Sequence, residues 1–153
     1  MPLYLVQHGK NLPKEIDPRK VLSPEGVVDV SQIAEVAAGY KVIVSVVEHS
    51  GKKRAQQTAE WMAAALTPKL GIREIPGIMP MDNVVEFADT VIPDENRMIV
   101  GHLPFMEKLT AFLVSGSEEI TVFRFQKGGI VCLDRDTDKS LWYIKWALMP
   151  NIS

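Results

Sequence analysis

The stretch VIVSVVEHSGKKRAQQTAEWMAAAL, residues 42–66, decides the fold. Its opening, Val42-Ile43-Val44-Ser45-Val46-Val47, is rich in β-branched residues and predicts a strand. Its second half places Ala55, Ala59, Met62 and Leu66 on one face of a helix that starts after Ser50 and runs to about Leu66. A strand whose apolar run is continuous rather than alternating is buried on both faces. That is the habit of parallel sheets covered by helices.

The same alternation extends outward from this unit. Leu3-Tyr4-Leu5-Val6 and Arg97-Met98-Ile99-Val100 are further short apolar runs. Ser23 followed by Pro24 supplies an N-cap and a proline at the first helical position. Val27, Val30, Ala34 and Ala37 then keep helical spacing, and Gly39 ends the run. A third helix follows Pro104, with Met106, Leu109, Phe112 and Leu113 facing inward. Residues 129–133 and 141–146 flank a polar stretch and predict a hairpin. Residues 72–75 add a further strand, and residues 67–80, with Pro68, Gly71, Pro76, Gly77 and Pro80, read as a surface excursion. Together these elements predict an α/β fold: a three-layer α/β/α sandwich with a mostly parallel central sheet and a C-terminal hairpin.

Composition agrees with a globular chain. The 153 residues are 46% hydrophobic and 24% charged, which excludes disordered, collagenous and coiled-coil classes. One domain over residues 1–153 is the expectation. No apolar run approaches the roughly 18 residues of a membrane span, and the N-terminus lacks a basic region ahead of its short apolar stretch, so no signal peptide is expected. A single cysteine, Cys132, excludes an intramolecular disulfide framework and makes the cytoplasm the default compartment. A net charge of -2 gives no support to nucleic-acid binding.

Only three histidines occur, and each closes an apolar strand: His8, His49 and His102. Open α/β sheets bind ligands beyond the carboxyl ends of their strands, so the three imidazoles are expected along one rim. A histidine at a strand end often does no more than satisfy a loop carbonyl, and His49 is left at that reading. His8 and His102 each adjoin a glycine, Gly9 and Gly101, which lets a ligand approach the backbone. The helices starting near Ser50 and Pro104 point their N-termini at the same rim, where anions are favoured. Lys52, Lys53 and Arg54 crowd the first turn of one of them. The two lysines read as solvated surface, and Arg54, beside inward-facing Ala55, as a phosphate contact. Cys132 reads as a buried strand residue, and Trp61, Trp142 and Trp146 as core or sheet-face residues. The acidic run at residues 134–138 resembles a calcium loop only in passing, since it lacks the glycine and the closing glutamate.

Four motifs occur in order: Val6-Gln7-His8-Gly9, Leu22-Ser23-Pro24-Glu25-Gly26, Ser50-Gly51-Lys52-Lys53-Arg54-Ala55-Gln56-Gln57-Thr58, and Val100-Gly101-His102-Leu103-Pro104. In order and spacing they resemble the histidine phosphatase superfamily, with closest similarity to small SixA-type phosphohistidine phosphatases over nearly the whole chain. The resemblance implies a phosphoglycerate-mutase-like fold, with no cofactor and no metal. It implies His8 as the nucleophile that becomes phosphorylated, Arg54 as a phosphate-binding arginine and His102 as a second histidine on the phosphoryl group. Gln7 and Gly9 fall within the same phosphate-binding set. The implied substrate is phosphohistidine in a protein, or a small phosphorylated molecule.

Two positions depart from the family pattern. Gln7 stands where the family has arginine, and Lys10 or Lys52 is the candidate to replace its charge. Near Gly77, where relatives carry a glutamate, the nearest acids are Asp82 and Glu86. A phosphoester needs a proton donor for its leaving alkoxide. A phosphoramidate needs one less, because its nitrogen can be protonated beforehand. That difference favours phosphohistidine. The competing readings are a phosphate- or phosphoprotein-binding module in which Gln7 has silenced turnover, and a metal site built from the three histidines, which Arg54 would oppose.

Overall fold

The computed structural model describes residues 1–93 and 95–152. In chain order the elements are β1 (Leu3–Gln7), α1 (Pro24–Gly39), β2 (Val46–His49), α2 (Lys53–Leu66), β3 (Ile72–Glu74), α3 (Val84–Ala88), β4 (Arg97–Gly101), α4 (Phe105–Ser115), β5 (Ile130–Asp134) and β6 (Tyr143–Leu148). The sheet order is β3-β2-β4-β1-β5-β6. The first four strands in that order run parallel, and β5 and β6 form the antiparallel hairpin beside β1.

Alternation along the buried strands divides the core in two. Tyr4, Val6, Met98 and Val100 face α1 and α2, where they meet Val30, Ala34, Ala59 and Met62. Leu3, Leu5, Ile99 and Val131 face the other layer, where they meet Phe87, Phe105, Met106 and Leu109. Helices on both faces explain why the strand sequences read as continuous apolar runs. The expected three-layer sandwich is therefore present.

Several boundaries differ from the sequence reading. The Val42–Val47 run does not pair until Val46. Lys41 takes a left-handed turn (φ 60°) off the end of α1, and the Val42 N–H donates back to the Ala37 carbonyl. Val44 is buried against the α1 side of the core instead of joining the sheet. The last strand starts two residues late because Trp142 is buried and its N–H donates to the Leu113 carbonyl beyond the sheet. Helix α2 begins at Lys53, since Ser50 is engaged elsewhere.

The excursion over residues 67–80 is not purely surface: Ile78 is fully buried. Beyond it lies α3, which was not expected. Asn83 caps it, its Oδ1 accepting from the Val85 and Glu86 N–H groups, and Val84 and Phe87 are buried. Arg97 clamps this region to the sheet, bonding buried Glu48 through Nε at 2.6 Å and the Thr90 carbonyl at 3.0 Å. Trp142 is core and Trp146 tilts over Tyr4 at 6.0 Å, as expected, but Trp61 is 42% exposed and belongs to neither core. Among the described residues, no helix is long and apolar enough to cross a membrane.

Candidate active site

Strand register sets the geometry. Gln7 pairs with Gly101, so the next residues, His8 and His102, leave the sheet side by side. Their ring centroids lie 5.1 Å apart. His49 pairs with Val100, two residues short of that level. The rim therefore holds two of the three imidazoles. His49 Nδ1 accepts from the Gly51 N–H, and its ring lies with Gln56, Glu60 and Glu74 in a separate pocket.

His8 is 6% exposed, and its Nδ1 sits 2.7 Å from the Gly9 carbonyl oxygen. A carbonyl can only accept, so Nδ1 carries the proton. Burial, reinforced by the charges of Arg54, Lys127 and Lys20, pulls the His8 pKa down to about 4 against the opposing pull of the Gly9 carbonyl. The ring is thus neutral near pH 7, and Nε2 carries no proton and keeps its lone pair. The Arg54 Nε–H donates toward that nitrogen at 3.4 Å.

Arg54 is carried by the first turn of α2, and Thr58 one turn later ties the helix to the histidine loop. Thr58 is fully buried. Its hydroxyl donates to the Arg54 carbonyl at 2.8 Å and accepts from the Gly9 N–H at 2.9 Å. The loop is held from the other side by α1. A Cβ on Gly26 would stand 2.0 Å from the Lys10 carbonyl oxygen, so only glycine permits that approach.

His102 is 2% exposed, and burial, with the charges of His8, Arg54 and Lys52, lowers its pKa to about 3. Its Nε2 shares a 2.6 Å hydrogen bond with Ser50 Oγ, while Nδ1 is buried without a partner among the described residues. Ser50 stands opposite the two imidazoles because β2 ends one residue earlier. Two neutral imidazoles are thus adjacent at this rim, with the Arg54 guanidinium against one and Ser50 against the other. The set offers a nucleophilic nitrogen and cationic and neutral hydrogen-bond donors, which phosphoryl chemistry requires.

The remaining candidates fall out as follows. Gln7 is 6% exposed, and its side chain makes no hydrogen bond among the described residues. Lys10 is committed elsewhere: Nζ bonds Glu25 and lies 3.7 Å from Asp29. Lys52 is half-buried rather than freely solvated, and its charge acts on His102. Asp82 lines a pocket together with Ser50, Gly77 and Glu74, and it also borders the neighbouring cavity beside Arg97, onto which Glu86 opens. Cys132 is fully buried with its thiol pushed up to about 12 by burial, as unsuited to attack as its strand position suggests. The residues that sequence reasoning missed are Ser50 and Thr58 as hydrogen-bond partners, Glu74 against Gly51, and Lys20 and Lys127 as charges on His8. Ser50 and Thr58 stood inside a quoted motif; nothing in the sequence marked the other three.

No protein-family model matches the chain, and no curated protein matches it. Solved structures do. A protein histidine phosphatase SixA, bound to tungstate, is 23% identical over 98% of this chain and 97% of its own, with a TM-score of 0.81. The chain has the SixA fold. A SixA protein from Agrobacterium tumefaciens is 22% identical, covering 97% of each chain at a TM-score of 0.77. A phosphoserine phosphatase from Entamoeba histolytica, in complex with phosphoserine, is 14% identical over 97% of each chain at 0.70. At these identities the SixA likeness is one of fold, and the phosphoglycerate-mutase-like architecture inferred from the motifs agrees with it.

Proposed function

We propose that this protein is a phosphatase that uses His8 as a covalent nucleophile and acts on phosphohistidine in a protein. One observation carries the reading: Nδ1 of His8 is tied to the Gly9 carbonyl, which leaves Nε2 unprotonated under the Arg54 guanidinium. The reaction has two steps. Nε2 attacks phosphorus in line, the bond from phosphorus to the leaving nitrogen breaks, and a phosphoryl group resides on His8. Water then attacks that phosphorus, releasing inorganic phosphate and restoring neutral His8. Arg54 holds the equatorial oxygens with a planar fork suited to phosphate. His102, held by Ser50, stabilises the charge that develops on the same oxygens.

The substrate class rests on the leaving group. Asp82 and Glu86 are exposed, and Asp82 accepts the Met79 N–H, so neither is held as a proton donor in the manner an alkoxide demands. The imidazole leaving group of phosphohistidine can be protonated beforehand on its other ring nitrogen, so it needs such a donor less. The fold shared with SixA supports the same class.

The test is a side-by-side assay on a phosphohistidine protein and an aryl phosphate, with alkaline-quenched trapping of an acid-labile phosphoryl group on His8. Turnover of the first substrate and a label on His8 are expected. Anion binding with no turnover and no label would assign the protein instead to the binding-module reading that Gln7 raises.

A further inference from the structure

Gln7 removes a positive charge from the site, and we infer that Lys127 restores it by pairing with the phosphoryl oxygens of a substrate bound at His8. The inference rests on the phosphatase reading above and concerns the same site.

Lys127 reaches His8 by way of the main chain. Residues 126–129 form a turn in which the Gly129 N–H donates to the Gln126 carbonyl at 3.1 Å. Gly128 adopts a left-handed conformation (φ 87°), which residues with a side chain rarely take. Its N–H donates to the Gln7 carbonyl at 2.9 Å. That bond fastens the turn to the last residue of β1, immediately before His8. Lys127 directly precedes the fastening point.

The lysine is also uncommitted. It is exposed and forms no ion pair among the described residues. The nearest acids in its pocket are Glu25 and Asp29, and Lys10 already engages both. Its charge reaches His8, opposing protonation there together with Arg54 and, less strongly, Lys20. Lys52 serves the other imidazole. A flexible four-carbon stem carrying a point charge suits a mobile oxyanion without the fixed geometry that an arginine fork imposes. The loss at position 7 is thus met from a different segment, one fastened to the Gln7 carbonyl by the residue next to Lys127.

The experiment measures tungstate affinity by calorimetry for the wild type, Lys127→Ala, Lys127→Arg and the double variant Gln7→Arg/Lys127→Ala. Lys127→Ala is expected to weaken binding about fivefold, the size of one partly exposed charged contact. Lys127→Arg should stay within twofold of the wild type. The double variant should regain most of the loss. The wild-type advantage should also shrink as salt is raised. Unchanged affinity in Lys127→Ala, with binding lost in Arg54→Ala, would overturn this assignment and leave the site reading intact. A double variant that folds but remains as weak as Lys127→Ala would overturn the equivalence of the two positions. A wild type that binds no tungstate would sink both readings.

Discussion

Replacing Thr58 with valine isolates the bond that joins the histidine loop to the arginine helix. The two side chains have nearly the same shape, so the core around the site keeps its volume. The hydroxyl, however, makes two bonds, and they are not equivalent. The Arg54 carbonyl retains its intrahelical partner within α2. The Gly9 N–H, 2.9 Å from the missing oxygen and in a buried setting, has no replacement acceptor. Leaving such a donor unpaired costs about 1–3 kcal/mol. Taking about 2 kcal/mol, a chain of this length should melt about 4–8 °C lower. Thr58→Ser keeps the oxygen and loses one methyl, which costs about 1 kcal/mol. Thermal unfolding followed by circular dichroism separates the two, and tungstate calorimetry reads whether Gly9 and Arg54 have lost their mutual placement. A Thr58→Val melt within 1 °C of the wild type would refute the reasoning. So would a serine variant that falls as far as the valine variant, since packing and not the hydrogen bond would then be at work.

Four further outcomes are expected. His8→Ala should abolish phosphate release and the trapped label, whereas His102→Ala should leave residual turnover; wild-type rates in His8→Ala would mean that another residue attacks. Ser50→Ala removes the only hydrogen bond to the His102 ring among the described residues, so anion affinity and turnover should fall together about tenfold (about 1.4 kcal/mol), with recovery in Ser50→Thr. Both site histidines have folded pKa values lowered by burial, to about 4 and about 3. The unfolded chain therefore binds more protons below pH 6.5, and stability, complete above that value, should decline as pH falls towards 4; a melting temperature flat from pH 7 to 4 would contradict this. Ile78→Ala empties a fully buried position under α3 and should cost about 2–5 kcal/mol in denaturant unfolding, where a surface loop residue would cost almost nothing.

The elements that the sequence disclosed are those whose local signals and tertiary roles coincide. Ser23-Pro24 announces α1 at its observed first residue because capping chemistry is local. The strand at Val42 misled because β-branched residues suit any buried extended chain, and only the left-handed turn at Lys41 decides that Val44 packs under a helix instead. Helix α3 was hidden by its brevity, although Asn83 with Val84 and Phe87 was a readable cap and face. At the candidate site, the meeting of His8, His102 and Arg54 was legible because each closes or opens an element at the sheet's rim. His49 was already set apart for want of an adjoining glycine, but the two-residue register offset that keeps it off the rim leaves no trace in one strand's own sequence. Lys127 was invisible for the same reason: it is 119 positions from His8 along the chain and arrives through a bond between main-chain atoms.

The proton on His8 is positioned by a main-chain oxygen, and that has a consequence for inheritance. No single codon change can delete the Gly9 carbonyl, so the tautomer that frees Nε2 is shielded from the ordinary drift of side chains. What can disturb it is a shift in the path of the chain. Gly26 is the most exposed point for such a shift, because a single added methyl would press on Lys10 one residue beyond that carbonyl. Substitutions that silence this protein should therefore be sought as much among small residues that never meet the substrate as among the imidazoles themselves.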